Sequence, residues 1–582
     1  MKKALGSFAI VPLLCLLPAA VGVGGCAGAA PPRGSGETPR RVPNKPVIHP
    51  HPPDRQVAEP SERGFTVLSF NDTYRLEGVE GGARGGFARV RALRRELEAA
   101  GEDVLLLHAG DFLFPSLLSR KFDGAQMIDV MNYLDGDGTA FDPRFFITFG
   151  NHEFDKSALE YAPMLERRIE QSEFRWLGTN VRFSKDDDGA PLVSAPNLVD
   201  THLLQLGGVQ VGLYSVTTSF GIAAYIEEIG DYTESTRRAV ASLRSRGAEV
   251  VIGLTHLLIS EDTEILRRLG DDGPDLVFGG HEHRAAEVEV DGRWILKAEA
   301  EAVSAVVARV ELRPGDEGSA RPRIEFRHQP LGPEEPVPDS RVLERIAAWN
   351  DAYNLILCTV ELALDSGCLE QELGRAATAL VAEELSIRRF ETSLGNWVAD
   401  QMLEHFADQG AQAALMNSGS LRLNQNLPAG SAISRRHLEE LFAYPVELRL
   451  LEIDGATLQE VLAHSISHWT GNGWFLQIGG LAFRHDPVNQ SVSGLTLLGA
   501  DGPRPIESDD VVRVVATDYL VEPAGGQDGF TMLNLGQQLA VGLDLKDVVN
   551  AALRTAGSAG IGPVVEGRIC NPQKPGPCLA GD

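Results

Sequence analysis

The first half of the chain contains five short, almost continuously apolar runs, and these runs constrain the fold more than any other feature. They are F-T-V-L-S-F (65–70), D-V-L-L-L-H (103–108), R-F-F-I-T-F (144–149), A-E-V-V-I-G-L (248–254) and P-D-L-V-F (274–278). Runs of this length and composition are typical of β-strands that are buried on both faces. Between the first two runs, Phe87, Val90, Leu93 and Leu97 recur at helical spacing. Alternating strands and helices predict an α/β layer.

Polar side chains that commonly bind metals follow each of these runs. They are Asp72, Asp111, Asn151 with His152, His256, and His281 with His283. Because ligand sites in α/β sheets lie beyond the carboxyl ends of the strands, the five strands would bring these side chains to one edge. Each group alone has a structural interpretation, as a turn residue or as a hydrogen-bonded core histidine. The repeated coincidence favours one site, whose mixed oxygen and nitrogen ligands suit Zn, Mn, Co or Fe.

Length and charge limit the remaining possibilities. A chain of 582 residues exceeds what one core usually covers, so we expect two large domains. The formal charge of −28 argues against binding of a nucleic-acid polymer and against a basic membrane patch. An anionic substrate is still allowed, because a metal ion reverses the local field. Residues 334–338, E-E-P-V-P, mark a break, and the pattern after it predicts a connecting helix and a second mixed α/β region.

The N-terminus has the pattern of an export signal. Lys2 and Lys3 precede an apolar run that Pro12 and Pro18 interrupt, and the run is too short for a membrane span. We therefore predict a signal peptide over residues 1–25 and a Pro-rich tether over 26–62. The segment V-G-V-G-G-C resembles a bacterial lipobox, which would make Cys26 a lipidated first residue; the alternative is an ordinary signal with an incidental cysteine. The lipid would be the membrane attachment, and Ala27 favours the outer membrane.

Four cysteines remain after residue 26, and they fall into two close pairs. The pairs are Cys358 with Cys368 and Cys570 with Cys578. In an exported protein this spacing predicts two short-loop disulfides, although four cysteines allow three connectivities. A zinc site is less favoured, because no histidine lies near either pair.

Five sequence blocks, taken in order, resemble those of the calcineurin-like metallophosphoesterases. The blocks are N-D-T-Y (71–74), H-A-G-D (108–111), G-N-H-E-F-D (150–155), T-H (255–256) and G-G-H-E-H (279–283). Three later blocks are similar to the C-terminal domain of the 5′-nucleotidase and UDP-sugar hydrolase subgroup. They are E-T-S-L-G-N-W-V-A-D (391–400), M-N-S-G-S-L-R (416–422) and G-G-Q-D-G-F (525–530).

The resemblance implies a fold and a domain order. Residues 63–333 would form a four-layer αββα metallophosphoesterase sandwich, and residues 334–369 would contain a linker helix. Residues 370–568 would form a mixed α/β substrate-binding domain, followed by a tail over 569–582 that carries one of the disulfides. The fold class is therefore expected to be α/β in the first domain and α+β overall.

The resemblance also implies roles for individual residues and two divalent transition metals. Asp111 would bridge the metals, Asp72 and His283 would hold the first, and the second would be held by Asn151, His256 and His281. His152 would be catalytic and Asp155 would orient it, whereas Glu153 is expected to be structural. The residues expected to bind substrate are Asn417, Arg422, Tyr519, Asp528, Gly526 and Arg388.

The implied activity is hydrolysis of a 5′-nucleotide or a related phosphate ester, a small molecule, by in-line attack of a metal-activated hydroxide. Three departures keep other substrates open. Tyr74 stands where the family has a metal-binding histidine, Val446 stands where an aromatic residue is expected, and the block at 525–530 has an extra residue. The alternatives are a UDP-sugar, a 2′,3′-cyclic nucleotide or a thiosulfate-type substrate, or a catalytically inactive surface protein that binds nucleotides.

Overall fold

The structure is a computed structural model that describes residues 63–219, 223–312, 321–467, 469, 473–499, 501–521 and 529–581. These residues lie within one compact unit, Pro60–Asp582. The predicted signal peptide (1–25) and tether (26–62) lie outside the described residues, so both remain predictions. Within the described ranges, no helix has the length and apolar character that a membrane crossing requires.

The chain up to residue 330, called the first domain below, contains fifteen strands and six α-helices in its described part. The strands are β1 (Arg63–Phe70), β2 (Val104–His108), β3 (Phe145–Thr148), β4 (Arg175–Leu177), β5 (Val181–Phe183), β6 (Leu198–Val199), β7 (Thr201–Leu206), β8 (Val209–Thr217), β9 (Ile226–Ile229), β10 (Val250–His256), β11 (Leu276–Gly279), β12 (Ala286–Val290), β13 (Arg293–Lys297), β14 (Ser304–Leu312) and β15 (Arg323–Pro330). The helices are α1 (Phe87–Ala99), α2 (Ser119–Phe122), α3 (Ala125–Asn132), α4 (Ala162–Glu170), α5 (Tyr232–Ser245) and α6 (Ile259–Leu269).

Two large sheets are built from these strands. Their orders are β15-β14-β1-β2-β3-β4-β6 and β12-β13-β11-β10-β8-β7. The strands β1, β2, β3, β4 and β6 run parallel in the first sheet, as do β8, β10, β11 and β13 in the second. The five runs predicted as strands are all present, but they divide between the two sheets. The prediction that all five strands end at one edge of a single sheet is therefore wrong. The strands end instead at neighbouring edges of two packed sheets.

Alternation along the strands explains why the runs are apolar on both faces. Phe65 and Val67 of β1 share an apolar cluster with Ile252 of β10, between the two sheets. The alternate residues Leu68 and Phe70 face the other way, into a cluster that includes residues of α1, α3 and α4. Helices α5 and α6 cover the outer face of the second sheet. The domain is thus the expected αββα sandwich, in which each fully buried apolar side chain contributes about 1.5–3 kcal/mol.

The predicted connecting helix is present as α7 (Ser340–Asn354). Its N-terminal cap is Asp339, whose carboxylate accepts hydrogen bonds from backbone N–H groups of the first turn. Arg345 and Trp349 both bind Asp129 of α3, and the indole N–H donates to Asp129 Oδ2 at 2.6 Å. These contacts fix the helix to the first domain.

The chain after α7, called the second domain below, has eleven strands and six α-helices among the residues described. The strands are β16 (Glu372–Arg375), β17 (Ala413–Asn417), β18 (Ala432–Ser434), β19 (Glu447–Asp454), β20 (Leu476–Gly479), β21 (Leu481–Asp486), β22 (Ser491–Gly499), β23 (Gly502–Pro505), β24 (Val511–Thr517), β25 (Gln537–Asp544) and β26 (Ile569–Cys570). The helices are α8 (Glu384–Ile387), α9 (Ser393–His405), α10 (Arg435–Leu441), α11 (Gly455–Ser465), α12 (Asp518–Val521) and α13 (Leu545–Ala556).

A five-stranded sheet organises the second domain, in the order β20-β17-β24-β19-β25. Alternate residues of β17 belong to two different apolar clusters, because successive side chains of a strand point to opposite faces. Ala414 and Met416 face the cluster that includes α9 and α13, and Ala413 and Leu415 face the cluster that includes α11. A smaller sheet, β23-β22-β21-β26, packs beside it. The mixed α/β domain expected from the resemblance is present.

Both predicted disulfides are present, which selects one of the three possible connectivities. Cys358 bonds Cys368 across a separation of 10 residues, and Cys570 bonds Cys578 across a separation of 8. Cys358 is fully buried beside the first domain's core, so the first bridge closes the segment that follows α7.

We predict that replacing Cys358 and Cys368 together by alanine lowers the free energy of unfolding by about 2.5 kcal/mol, because the unfolded chain regains the entropy of a short loop. Urea denaturation followed by circular dichroism measures this change. The double alanine variant of Cys570 and Cys578 is the comparison. Its loop has a similar length, so it should show a similar loss. An unchanged unfolding midpoint in the first variant would contradict the prediction.

Candidate metal centre

The ends of β1 and β2 bring two aspartates together. The hydrogen-bonded ladder of these parallel strands continues past their last residues, because Asp72 N donates to Gly110 O at 3.0 Å and Thr73 N donates to Asp111 O at 2.9 Å. Asp72 is fully buried and Asp111 is 1% exposed. Two carboxylates buried side by side require a compensating positive charge.

His256, at the end of β10, brings the second sheet to the same place. Its Nδ1 donates to Ala109 O at 2.7 Å, which turns Nε2 towards Asp111 Oδ2 at 3.2 Å. Asp72, Asp111 and His256 offer ligand atoms that all lie within 4.8 Å of one another. A backbone carbonyl that fixes the ring of a histidine in this way is common in metal sites.

The other three predicted ligands surround this group. His283 Nε2 lies 3.2 Å from Asp72 Oδ1, and His281 Nδ1 lies 3.3 Å from His256 Nε2. Asn151 Oδ1 is buried and has no hydrogen-bond partner among the described residues. A buried amide oxygen normally has a partner, so this atom fits a role as a metal ligand. The donor set of carboxylate, amide and imidazole groups therefore suits divalent transition metals.

The electrostatics of the cluster favour a cation. Burial lowers the pKa of His256, but the Asp111 and Asp72 carboxylates outweigh it and raise that pKa to about 9. Burial raises the pKa of Asp111, but His256 and His152 together hold it well below its usual range. Positive charge is thus strongly stabilised where the two carboxylates meet.

Backbone strain is concentrated at the same residues. Twelve non-glycine residues have a positive φ in the described part of the chain, and four of them are predicted ligands. Their φ angles are 50° at Asp72, 62° at Asp111, 88° at His281 and 59° at His283. Because such conformations cost of order 1–3 kcal/mol each, their clustering points to a functional constraint.

Two glycines are required because the site leaves no space for a side chain. A Cβ on Gly150 would lie 2.1 Å from Asp111 Oδ1, and a Cβ on Gly280 would lie 2.9 Å from Asp72 Oδ2. Any larger residue at either position would displace a carboxylate of the cluster.

Glu153, which we expect to be structural, holds the loop that carries Asp111. Its fully buried carboxylate accepts backbone hydrogen bonds from Asp111 (2.9 Å), Phe112 (2.8 Å), Leu113 (3.0 Å) and Gly150 (2.6 Å). Burial and the Asp111 carboxylate raise the pKa of Glu153 to about 7. One side chain thus fixes the ends of β2 and β3 relative to each other.

His152 and Asp155 form the pair that the sequence predicts. His152 Nδ1 lies 3.0 Å from both carboxylate oxygens of Asp155, and its Nε2 lies 4.0 Å from Asp111 Oδ2. Burial lowers the pKa of His152, but Asp155 and Asp111 outweigh it, so the pKa lies above its usual value. Tyr444 of the second domain donates its hydroxyl hydrogen to Asp155 Oδ2 at 2.7 Å.

Tyr74 lies in the cluster as a hydrogen-bonding phenol. Its hydroxyl donates to Asp111 Oδ2 at 3.1 Å and lies 3.1 Å from His283 Nε2. Burial and the Asp111 and Asp72 carboxylates raise the pKa of Tyr74 well above its usual value, so the group stays neutral. Its backbone N–H donates to Glu301 Oε2 at 3.0 Å, which fixes the turn after β1.

The second domain also reaches the cluster through Glu384, which sequence reasoning missed. Its carboxylate binds His283 Nδ1 on one side and pairs with Arg388, a predicted substrate-binding residue, on the other. Burial opposes protonation of His283, but Glu384 and Asp72 raise its pKa to about 10. Only the tertiary structure brings Glu384 and Tyr444 to this place, because their sequence neighbourhoods contain no metal-binding pattern.

Arg422 faces the same region from the second domain. With Tyr74 and Arg75 it lines a cavity of about 40 Å³ between the two domains. Burial lowers the pKa of Arg422, but Tyr444, Glu384 and other nearby groups outweigh it and keep the guanidinium charged. Its Nε has no hydrogen-bond partner among the described residues.

The remaining predicted substrate-binding residues are less closely connected to the cluster. Asn417 ends β17, and its buried side-chain oxygen accepts hydrogen bonds from Thr517 (3.1 Å) and Ser420 (2.9 Å). Tyr519 lies on α12, where its backbone N–H donates to Asp518 Oδ1 at 2.9 Å. Gly526 and Asp528 lie outside the described residues. Val446, in place of the expected aromatic residue, is buried in the second domain's core.

Two protein-family models match this chain over the segments that carry the site. A model of the calcineurin-like phosphoesterase family matches residues 65–285, and a model of the 5′-nucleotidase C-terminal domain matches residues 372–535. The chain belongs to the metallophosphoesterases that carry a 5′-nucleotidase C-terminal domain. This membership supports phosphoester hydrolysis and implies divalent metal ions.

Three similar proteins illustrate the family. The trifunctional nucleotide phosphoesterase protein YfkN of Bacillus subtilis is 23% identical over 87% of this chain, and the chain spans 35% of that protein. The snake venom 5′-nucleotidase of Naja atra is 24% identical over 87% of this chain and 98% of its own length. The structure of a 5′-nucleotidase precursor from Thermus thermophilus has a TM-score of 0.72 and 24% identity, over 88% of this chain and 100% of that one. At this identity, the likeness to the Thermus structure shows the fold.

We predict that Glu153→Gln destabilises the loop of Asp111, because the new amide group faces backbone N–H donors in place of a carboxylate oxygen. Loss of hydrogen bonds to a charged group should lower the free energy of unfolding by about 1.5–3 kcal/mol. Urea denaturation measures the change, and Glu160→Gln, at an exposed position nearby in the chain, is the control. Equal stability of Glu153→Gln and wild type would show that the four hydrogen bonds do not hold the loop.

We predict that Tyr74→His leaves the affinity for the first metal unchanged or increases it, because an imidazole nitrogen is a better ligand than a neutral phenol. Titration of the metal-free protein with Mn²⁺ measures both binding steps. Tyr74→Phe, which keeps the ring and removes only the hydroxyl, is the matched control. If Tyr74→His abolishes metal binding, the phenol itself is needed.

Proposed function

We propose that this chain is an exported two-metal phosphoesterase that removes phosphate from a 5′-nucleotide or a related phosphate ester. One observation carries the proposal: Asp72, Asp111 and His256, from three strands of two sheets, offer ligand atoms within 4.8 Å of one another in a fully buried cluster. His281, His283 and the buried amide oxygen of Asn151 adjoin it. Family membership supports the reaction class but not the particular substrate.

The residues of the cluster divide into two sets in this proposal. Asp72 and His283 would hold the first ion, Asn151, His256 and His281 would hold the second, and Asp111 would contribute a ligand to both. When bound, a pair of divalent ions supplies positive charge that favours ionisation of water near neutral pH and offsets the charge on phosphoryl oxygens.

His152 is the catalytic group of the proposal. Asp155 holds Nδ1 at 3.0 Å, which leaves Nε2 directed to the side of Asp111, where the phosphate would lie. An imidazole oriented in this way contacts a phosphoryl oxygen or donates its proton to the leaving oxygen. The hydrogen bond from Tyr444 to Asp155 lets the second domain take part in positioning this pair.

Substrate contacts are assigned mainly to the second domain. Arg422 is charged, half-buried and electrostatically coupled to Tyr74 and Asp155, so it suits a contact with phosphate oxygens. Arg388 adjoins the cluster through Glu384. Asn417, Tyr519, Gly526 and Asp528 complete the proposed substrate set by resemblance. Export and a lipid at Cys26 rest on the N-terminal sequence, as does attachment to the outer membrane.

The substrate is tested by a hydrolysis screen with Mn²⁺, Zn²⁺, Co²⁺ and Mg²⁺, in which the products are separated by chromatography because only a phosphomonoester releases inorganic phosphate directly. AMP, UDP-glucose and 2′,3′-cyclic AMP distinguish the nucleotidase from the UDP-sugar and cyclic-nucleotide alternatives, and sulfate release from a thiosulfate-type substrate tests the remaining branch. We expect the highest rate with AMP. A metal-free preparation that binds AMP without hydrolysing it would overturn the proposal in favour of an inactive nucleotide-binding protein.

We predict that Asp111→Ala abolishes turnover and binding of the metal pair together, because one carboxylate is assigned to both ions. Metal content by mass spectrometry and the rate of AMP hydrolysis are the two measurements. Asp271→Ala, which removes a carboxylate that is 92% exposed, is the control and should keep both properties. Retained activity in Asp111→Ala would refute the bridging role.

A further inference from the structure

A buried lysine lies behind the two histidines assigned to the second ion. Lys297 is the last residue of β13, and its side chain is 1% exposed. Lysine is almost never fully buried unless its ammonium group is paired. The family resemblance and the proposed function give this residue no role.

The ammonium group of Lys297 has four oxygen partners. Two are backbone carbonyls, Leu257 O at 2.6 Å and Gly280 O at 3.0 Å. The other two are carboxylates, Glu282 Oε2 at 2.6 Å and Asp262 Oδ2 at 2.9 Å. Asp262 is fully buried on α6, and it interacts with both Lys297 and Thr255.

These partners are immediate neighbours of the predicted ligands. Leu257 follows His256 directly, and Gly280 and Glu282 stand on either side of His281. One ammonium group therefore ties the loop after β10 to the loop after β11. Each of these segments carries one histidine assigned to the second ion, and the facing nitrogens of the two rings lie 3.3 Å apart.

We propose that Lys297, together with Glu282 and Asp262, is a positioning residue that sets the spacing of His256 and His281 for the second ion. This inference rests on the proposed two-metal function. Lys297 touches neither the ion nor the substrate. It acts by holding the backbone carbonyls next to the two histidines. Residues that hydrogen-bond to the ligands or to their neighbours commonly orient the ligands of a metal site in this way.

A purely stabilising role explains this arrangement less well than a positioning role does. A buried ion pair is often no more stabilising than apolar residues of similar volume, because desolvation of the charges offsets their attraction. Hydrogen bonds to two backbone carbonyls beside two histidines, however, fix geometry that an apolar side chain cannot fix. The expected consequence is a specific effect on one metal ion.

The test is titration of metal-free Lys297→Met with Mn²⁺, followed by calorimetry and by electron paramagnetic resonance, which reports paired ions. We expect the affinity for the second ion to fall about 10–100-fold and the paired signal to weaken, with the first ion bound as in wild type. The matched control is Arg568→Met in the second domain. Arg568 is also buried, pairs with Asp400 and Glu566, and donates to Ile478 O. This control should lower stability without changing either affinity.

Lys297→Met leaves the buried Asp262 carboxylate and the part-buried Glu282 carboxylate without their shared cation, so a second variant covers the case in which it does not fold. Replacing Lys297, Glu282 and Asp262 together by Met, Gln and Asn removes the charges but restores no donor for Leu257 O and Gly280 O. Weaker binding of the second ion in this triple variant supports the proposal. Wild-type affinity for both ions in either folded variant overturns it. If wild-type protein itself binds no pair of Mn²⁺ ions, the proposed function fails instead.

Discussion

The site depends on one buried carboxylate, Asp111, which lies where the two sheets of the first domain meet. Its Oδ1 accepts a hydrogen bond from His152 N at 2.8 Å. Its Oδ2 accepts from the Tyr74 hydroxyl and lies 3.2 Å from His256 Nε2. These contacts join the ends of β1, β2 and β3 to the end of β10. A carboxylate with so little exposure is stable only beside positive charge, so the cluster favours a cation.

Two buried charges of opposite sign support this centre from outside. The Glu153 carboxylate accepts the backbone N–H groups of the loops after β2 and β3, in the first sheet. The Lys297 ammonium group donates to the backbone carbonyls of the loops after β10 and β11, in the second sheet. The negatively charged side chain faces backbone N–H donors, and the positively charged side chain faces backbone carbonyl acceptors. The strained φ angles of the ligands are therefore held by specific partners rather than by the loops alone.

The second domain is part of the same centre. Glu384 binds the outer nitrogen of His283, and Tyr444 donates to the carboxylate that orients His152. Arg75 of the first domain in turn pairs with Glu440 of the second. Contacts of this kind make the catalytic geometry depend on how the two domains dock. In the proposed function, a site formed in this way links the substrate contacts assigned to one domain with the metal ligands assigned to the other.

Much of the first domain could be predicted because its signals are local. The apolar runs identified all five site strands, the residues after them converge as expected, and the cysteine spacing indicated both disulfides. Which of the two sheets each strand joins could not be predicted, because strands buried on both faces look alike whichever sheet they join. Glu384 and Lys297 were missed for a related reason. Neither stands in a recognisable motif, and the contacts that reveal them are distant in the chain: His283 lies 101 residues from Glu384, and Leu257 lies 40 residues from Lys297.

The sequence by itself determined which side chains end each strand and which residue types are present to bind a metal. Strand periodicity and turn residues act over a few positions, so they can be recognised in the sequence alone. Only the tertiary structure decided that Asp111 is shared between sheets, that Tyr74 is a neutral donor and that the second domain reaches His283. Those facts depend on burial and on contacts between distant segments, because both the pKa of a group and the partners of a buried charge are set by what packs around it.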